Sequence, residues 1–265
     1  MHEGSEEVEA LGVDYERFAL GELLARLVRE HGIQSALELP ARGEKAMPSI
    51  YSLALARAGC RVTLARPVAR SLATWESLGL ACQVHACQDP ARSGLDEGAF
   101  DLVWDFAYLA RSPDPLALLA EMRRTSRRLV LYVGVNRHNP GFACHRAAHR
   151  LFGIAWTHGR LAYMDPDRTR AIFAAVGLEP LEIGSLDAPP FPDSLGIRDT
   201  RLHLRGGSAN DMEALPWCSR TVDWMRRGRV PVHIRAMHLF ERLLPAVVAR
   251  RWAHLFYLLA CKVPP

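Results

Sequence analysis

The sequence predicts an α/β protein, an open and largely parallel sheet of seven strands with helices on both faces. Three observations carry that expectation. Short apolar or β-branched runs alternate with helically spaced apolar residues over most of the chain. Glycines stand just past the helical stretches, where a left-handed cap is wanted. The first strand, helix and second strand together have the length of a βαβ unit.

The elements follow in order. Residues 15–31 place Phe18, Leu20, Leu23, Leu24, Leu27 and Val28 on one helical face, and His31-Gly32 supplies a stop. The run SALEL (35–39) is a short buried strand, broken by Pro40 and followed by a loop to Pro48. A helix over 49–58 ends at Gly59, and RVTLA (61–65) is the second strand. A helix over 69–78, an extended segment at 83–86 and the strand FDLVW (100–104) come next. A helix over 115–125 leads into RLVLYV (128–133), the fifth strand. A helix over 167–176 with Gly177 behind it precedes the sixth strand, 178–183, and HLFYLLA (254–260) is the seventh. The long stretch between these last two, with PPFP (189–192) and GGS (206–208), exceeds a plain connection, so a cap or partner-binding insertion is expected over about 187–252.

A chain of 265 residues suits one domain with an elaborated cap, its core half at 30–135 and its second half at 136–265. Hydrophobic residues at 49% and charged residues at 23% are those of an ordinary globular protein. The net charge of +4 comes from scattered arginines without a long basic run, which argues against nucleic acid as a partner. The six cysteines form no CxxC pair, so neither a zinc ribbon nor a disulfide scaffold is indicated, and a reducing cytoplasm suits them. The acidic start MHEGSEEVEALG lacks an export signal's basic and apolar regions, and no apolar run is long enough for a membrane span.

Local motifs narrow the reading. FDLVWDFAYL (100–109) followed by PDPLALLAEMRR (113–124) resembles the fourth strand and following helix of class I S-adenosylmethionine (SAM)-dependent methyltransferases, of the methyltransferase type 11-like kind. LYVGVNRHNPG (131–141), WTHG (156–159), AAVGL (174–178) and the closing strand resemble later parts of that family in the same order. The resemblance spans roughly residues 30 to 190 plus the last strand. It implies a Rossmann-like fold, SAM as cofactor and a small-molecule methyl acceptor.

The same resemblance marks the departures. The family's first strand ends in an acidic residue and alternating glycines; here Glu38 holds the acidic place, but Pro40, Arg42 and Glu44 stand where glycines are usual, with Gly43 displaced by one. The second strand usually ends in a carboxylate that accepts from the ribose hydroxyls, and Arg66 cannot accept. Gln88 and Asp89 fall where an acidic residue meets the adenine amino group, although an aspartate before Pro90 is also a turn initiator. The implied cofactor residues are therefore Glu38, Pro40, Arg42, Gly43, Arg66, Gln88 and Asp89. Arg42 and Arg66 suit a phosphate- or carboxylate-bearing ligand equally well. A catalytically silent subunit with a protein partner or a second copy is the rival expectation.

Methyl transfer from a sulfonium needs alignment and, for some acceptors, a base. Asp105, just past the fourth strand, and His158, in WTHG, are the candidates to face the acceptor. His145 and His149 in HRAAH lie four residues apart, on one helix face. That motif lacks the glutamate of hydrolytic zinc sites and spacing marks no third ligand, so no metal is expected.

Overall fold

Side chains along the central strands alternate between two apolar layers. In β5 (Phe100–Phe106), Leu102, Trp104 and Phe106 join one layer and Val103 the other, with Phe100 set on the Val103 side by a register shift before Leu102; in β6 (Ser126–Val135), Leu129, Leu131 and Val133 oppose Val130 and Tyr132. The period of two therefore fills both faces with apolar groups, as a sheet covered by helices on each side requires. Each such Leu or Phe taken from water contributes roughly 1.5–3 kcal/mol.

The computed structural model describes residues 7–8, 11–42, 48–190 and 217–263. Around β5 and β6 lie β2 (Ser35–Glu38), β3 (Arg61–Ala65), β4 (Gln83–His85), β7 (Leu178–Leu186) and β9 (Leu255–Lys262), in the order β4-β3-β2-β5-β6-β9-β7. The first five strands are parallel, and β9 runs antiparallel to both β6 and β7. A separate pairing joins β1 (Glu7–Val8) to β8 (Trp217–Cys218). One face is covered by α1 (Leu11–His31), α2 (Leu53–Arg57) and α3 (Ala69–Ser77); the other by α4 (Pro115–Thr125), α5 (Pro140–Leu151) and α6 (Pro166–Ala175).

The helices of the second face share one local start. Asp114, Asn139 and Asp165 are N-caps whose side chains accept from backbone N–H groups two or three residues on, each followed by a proline at the first helical position. Proline lacks the N–H that would be orphaned there, and the short acceptor side chain satisfies a later one. Asp89 repeats the device ahead of the short 3-10 turn Pro90–Arg92, accepting from Ala91 at 2.9 Å.

Two expectations are adjusted. The second helix begins at Leu53 rather than residue 49, because 48–52 is held as a turn. Ser49, at φ 67°, accepts from Val68 N–H at 2.9 Å, and Trp75 Nε1 donates to its carbonyl at 2.7 Å. Of the insertion, 191–216 lies outside the described residues; the rest forms α7 (Arg220–Arg227), α8 (Val232–Leu243) and α9 (Ala246–Trp252). Val222, Ile234 and Met237 join the α1 layer, and Tyr15 donates to Glu241 at 2.6 Å, so this part docks on the chain's own first helix. Among the described residues no helix is long and apolar enough to cross a membrane.

Candidate functional site

The carboxyl ends of β2, β3, β5 and β6 share one edge of the sheet, where ligands of open parallel sheets are held. Glu38 closes β2 and is fully buried. Its Oε2 accepts from Ser52 Oγ at 2.6 Å, and Trp104 Nε1 donates to that hydroxyl at 3.0 Å. Burial pushes the Glu38 carboxyl up to about 7, against the pull of Ser52 and Arg17. Among the described residues Oε1 has no hydrogen-bond partner.

Beyond Glu38 the chain fills its own loop. Leu39 N–H donates to Trp104 O at 2.9 Å and Ala41 N–H to Ala65 O at 2.8 Å, which prolongs the sheet contacts past the strand and buries Pro40 and Ala41. Arg42 Nε donates to the Arg66 carbonyl at 3.1 Å, so one side chain spans the carboxyl ends of β2 and β3. Arg66 itself has φ 54° and its N–H donates to His85 O at 3.0 Å. Gly43 lies outside the described residues, as does Glu44. Gln88 and Asp89 are exposed, with Asp89 engaged as the cap already described.

Asp105 is fully buried near the end of β5. Its Oδ2 accepts from Leu109 N–H at 2.8 Å, and Oδ1 finds no hydrogen-bond partner among the described residues. Burial, together with the nearby charge of Glu38, holds its carboxyl well above the ordinary range, against the Leu109 N–H. Two protonatable carboxyls on adjacent strands thus each keep one unengaged oxygen. An oxygen buried in that way costs about 1–3 kcal/mol, more when charged, unless a donor or cation meets it.

The edge after β6 is built differently. Asn139 caps α5, and the helix brings His145 and His149 onto one face. His158 arrives from the following loop, which is pinned by Arg160 N–H donating to Ala110 O at 2.8 Å and by Trp156 Nε1 donating to Gly159 O at 2.9 Å. Gly159 has φ 101°, and a Cβ there would meet Ala110 O at 2.5 Å, so only glycine allows the approach. The Nε2 atoms of His145 and His158 are 3.1 Å apart, those of His145 and His149 3.1 Å, and those of His149 and His158 3.2 Å. His158, expected to face an acceptor, therefore stands within a three-imidazole cluster. Spacing in the sequence marked the first two members but not the third, because eight residues of helix end and loop lie between His149 and His158.

No family model matches the chain, and no curated protein does. Solved structures do. Magnesium protoporphyrin IX methyltransferase from Synechocystis, with bound S-adenosylhomocysteine, is 14% identical with a TM-score of 0.55, over 98% of this chain and 90% of that one. The [4+2]-cyclase SpnF gives 17% and 0.56, over 93% and 80%. A SAM-dependent methyltransferase from Thermotoga maritima gives 11% and 0.55, over 96% and 92%. At such identities the likeness is one of fold, and a cyclase among the neighbours underlines that the fold does not choose the reaction. The strand order, with its antiparallel β9 between β6 and β7, and these three likenesses together give the chain the Rossmann-like fold of class I SAM-dependent methyltransferases.

Proposed function

We propose that the protein is a SAM-dependent methyltransferase acting on a small molecule. One observation carries the reading: Glu38 and Asp105, buried on adjacent strands at the ligand edge, each present an oxygen that accepts no hydrogen bond from the described residues. SAM is cationic at its sulfonium and amino groups, which such oxygens suit. When bound, SAM supplies an electrophilic methyl group. In this reading Glu38 helps hold the cofactor's cationic end, and Asp105 orients the acceptor or takes its proton.

The fit is divided. At the ribose end neither Arg66 nor Arg42 accepts hydrogen bonds, and the Arg42 side chain crosses to the Arg66 carbonyl. Asp89 already accepts from Ala91 through Oδ1, which leaves its second oxygen and the remaining lone pair of the first for adenine. Titration calorimetry of the full chain with SAM and with S-adenosylhomocysteine is expected to give one site per chain. Absence of heat at millimolar ligand would overturn the proposal.

A second reading, a non-catalytic subunit, draws support from α8 and α9. Val232, Leu239, Phe240, Leu243, Val247 and Val248 are exposed there, an apolar surface of the sort that partner proteins cover. Under it the chain co-purifies from its source with a stoichiometric partner and ignores SAM.

A further inference from the structure

The imidazole cluster is independent of the methyltransferase reading, and we infer that His145, His149 and His158 form a three-histidine site for a divalent cation of the zinc type. All three ligand atoms lie within 4.8 Å of one another, His149 is buried and the other two are half-buried.

Hydrogen bonding among the rings does not account for the geometry. Each Nε2 presents either an N–H or a lone pair, so of three atoms in mutual contact at least two are alike. One side of the triangle is then repulsive whatever tautomers are chosen. A cation that receives three lone pairs removes the conflict.

The tautomer of His149 is set from behind. Its Nδ1 lies 3.1 Å from the Ala155 carbonyl, which can only accept, so Nδ1 is the donor and Nε2 is the nitrogen left to offer a lone pair to a cation in the triangle. Metal-bound histidines characteristically donate their other nitrogen to such a carbonyl. Trp156 stands beside all three rings, with centroids 5.9, 5.3 and 4.8 Å from those of His145, His149 and His158, and limits their rotation.

The dimensions agree with zinc. Nitrogens with these separations lie ~1.8 Å from their common centre, so an ion at the usual Zn–N distance of about 2.0–2.1 Å stands ~1 Å above their plane and subtends angles of ~100° between them. Three imidazoles then occupy three corners of a tetrahedron, and the fourth is left to solvent or to another donor. Imidazole nitrogen also suits copper and nickel, and zinc is the borderline member that accepts tetrahedral geometry without preference.

The test uses the full, tag-free chain, stripped with chelator and titrated with zinc alone. One zinc per chain is expected by elemental analysis, and cobalt in its place should give the intense visible absorption of a tetrahedral ion. His145→Ala and His158→Ala, both half-buried and so less exposed to folding defects than His149→Ala, are each expected to weaken zinc binding by more than ~100-fold, above the loss usual for an outer-shell partner. Circular dichroism confirms that the variants stay folded. Zinc held equally by either variant and the native chain, or a cobalt spectrum of six-coordinate type, would overturn the site. Loss in His145→Ala with retention in His158→Ala would overturn it as well, reducing it to a two-histidine surface contact. None of these results depends on whether SAM binds.

Discussion

The loop after β2 and the segment after β6 stand on the same edge of one sheet, yet they treat their polar groups in opposite ways. After β2 the chain meets most of its own needs, with Glu38 Oε1 the exception: Ser52 serves the other Glu38 oxygen, Ser49 serves Val68, and Arg42 reaches the Arg66 carbonyl. After β6 three nitrogens converge whose mutual contacts cannot all be favourable. The first region joins the carboxyl ends of β2 and β3 through one arginine, and the second brings three imidazoles to one point.

The largest effect is expected at Glu38. Its pKa of about 7 in the folded protein exceeds the ordinary 4.5, so below 4.5 the proton is bound in both states and the stabilising contribution is complete. As pH rises through 7 the folded state must bury a charge that the unfolded chain carries freely, and the contribution is lost. The stability difference between Glu38→Gln and the native chain should therefore swing by about 3 kcal/mol in favour of the variant from about pH 4 to about pH 8. Denaturant titrations at both pH values check this. A constant difference would mean that Glu38 is solvated and that the edge is more open than described.

The next effect sharpens the β6 side without touching an imidazole. Gly159→Ala places a methyl against Ala110 O at a left-handed φ, so the loop must shift and carry His158 with it. A stability loss of about 1–3 kcal/mol is expected, with zinc affinity reduced about 10- to 100-fold, as when an outer-shell support is removed. Unchanged zinc affinity would show that His158 is placed by something other than its glycine hinge.

The smallest effect concerns Arg42. Arg42→Ala gives up the bond to the Arg66 carbonyl at about 1 kcal/mol and clears the gap between β2 and β3. If the guanidinium obstructs the ribose, S-adenosylhomocysteine binding in calorimetry should strengthen by about fivefold, equivalent to about 1 kcal/mol. A weaker interaction would instead make Arg42 a ligand contact, in keeping with an anionic group on the bound molecule.

Much of the architecture was legible in the residues. The strand runs at 61–65, 100–104 and 128–133 fell inside observed strands, and the helix at 115–125 was observed at those bounds, because a period of two or 3.6 and an Asx-Pro start are local signals. The start of α2 was not legible, since Ser49 is held in its turn by Val68 and Trp75, residues from a different strand-helix connection. Site residues divided in the same way. The family resemblance marked Glu38, and the strand pattern put Asp105 just past a strand that in fact runs on to Phe106, whereas the hydrogen bonds that meet one oxygen of each depend on Ser52, Trp104 and Leu109.

Sequence by itself determined the alternation of strands and helices, the acidic residues at two strand ends and the pairing of His145 with His149, since each depends on spacing within a turn or a strand. Tertiary structure alone decided that Arg42 spans to Arg66 and that His158 completes a triangle. Both outcomes rest on backbone contacts between distant segments, Ala41 with Ala65 and Arg160 with Ala110, whose positions no local periodicity encodes.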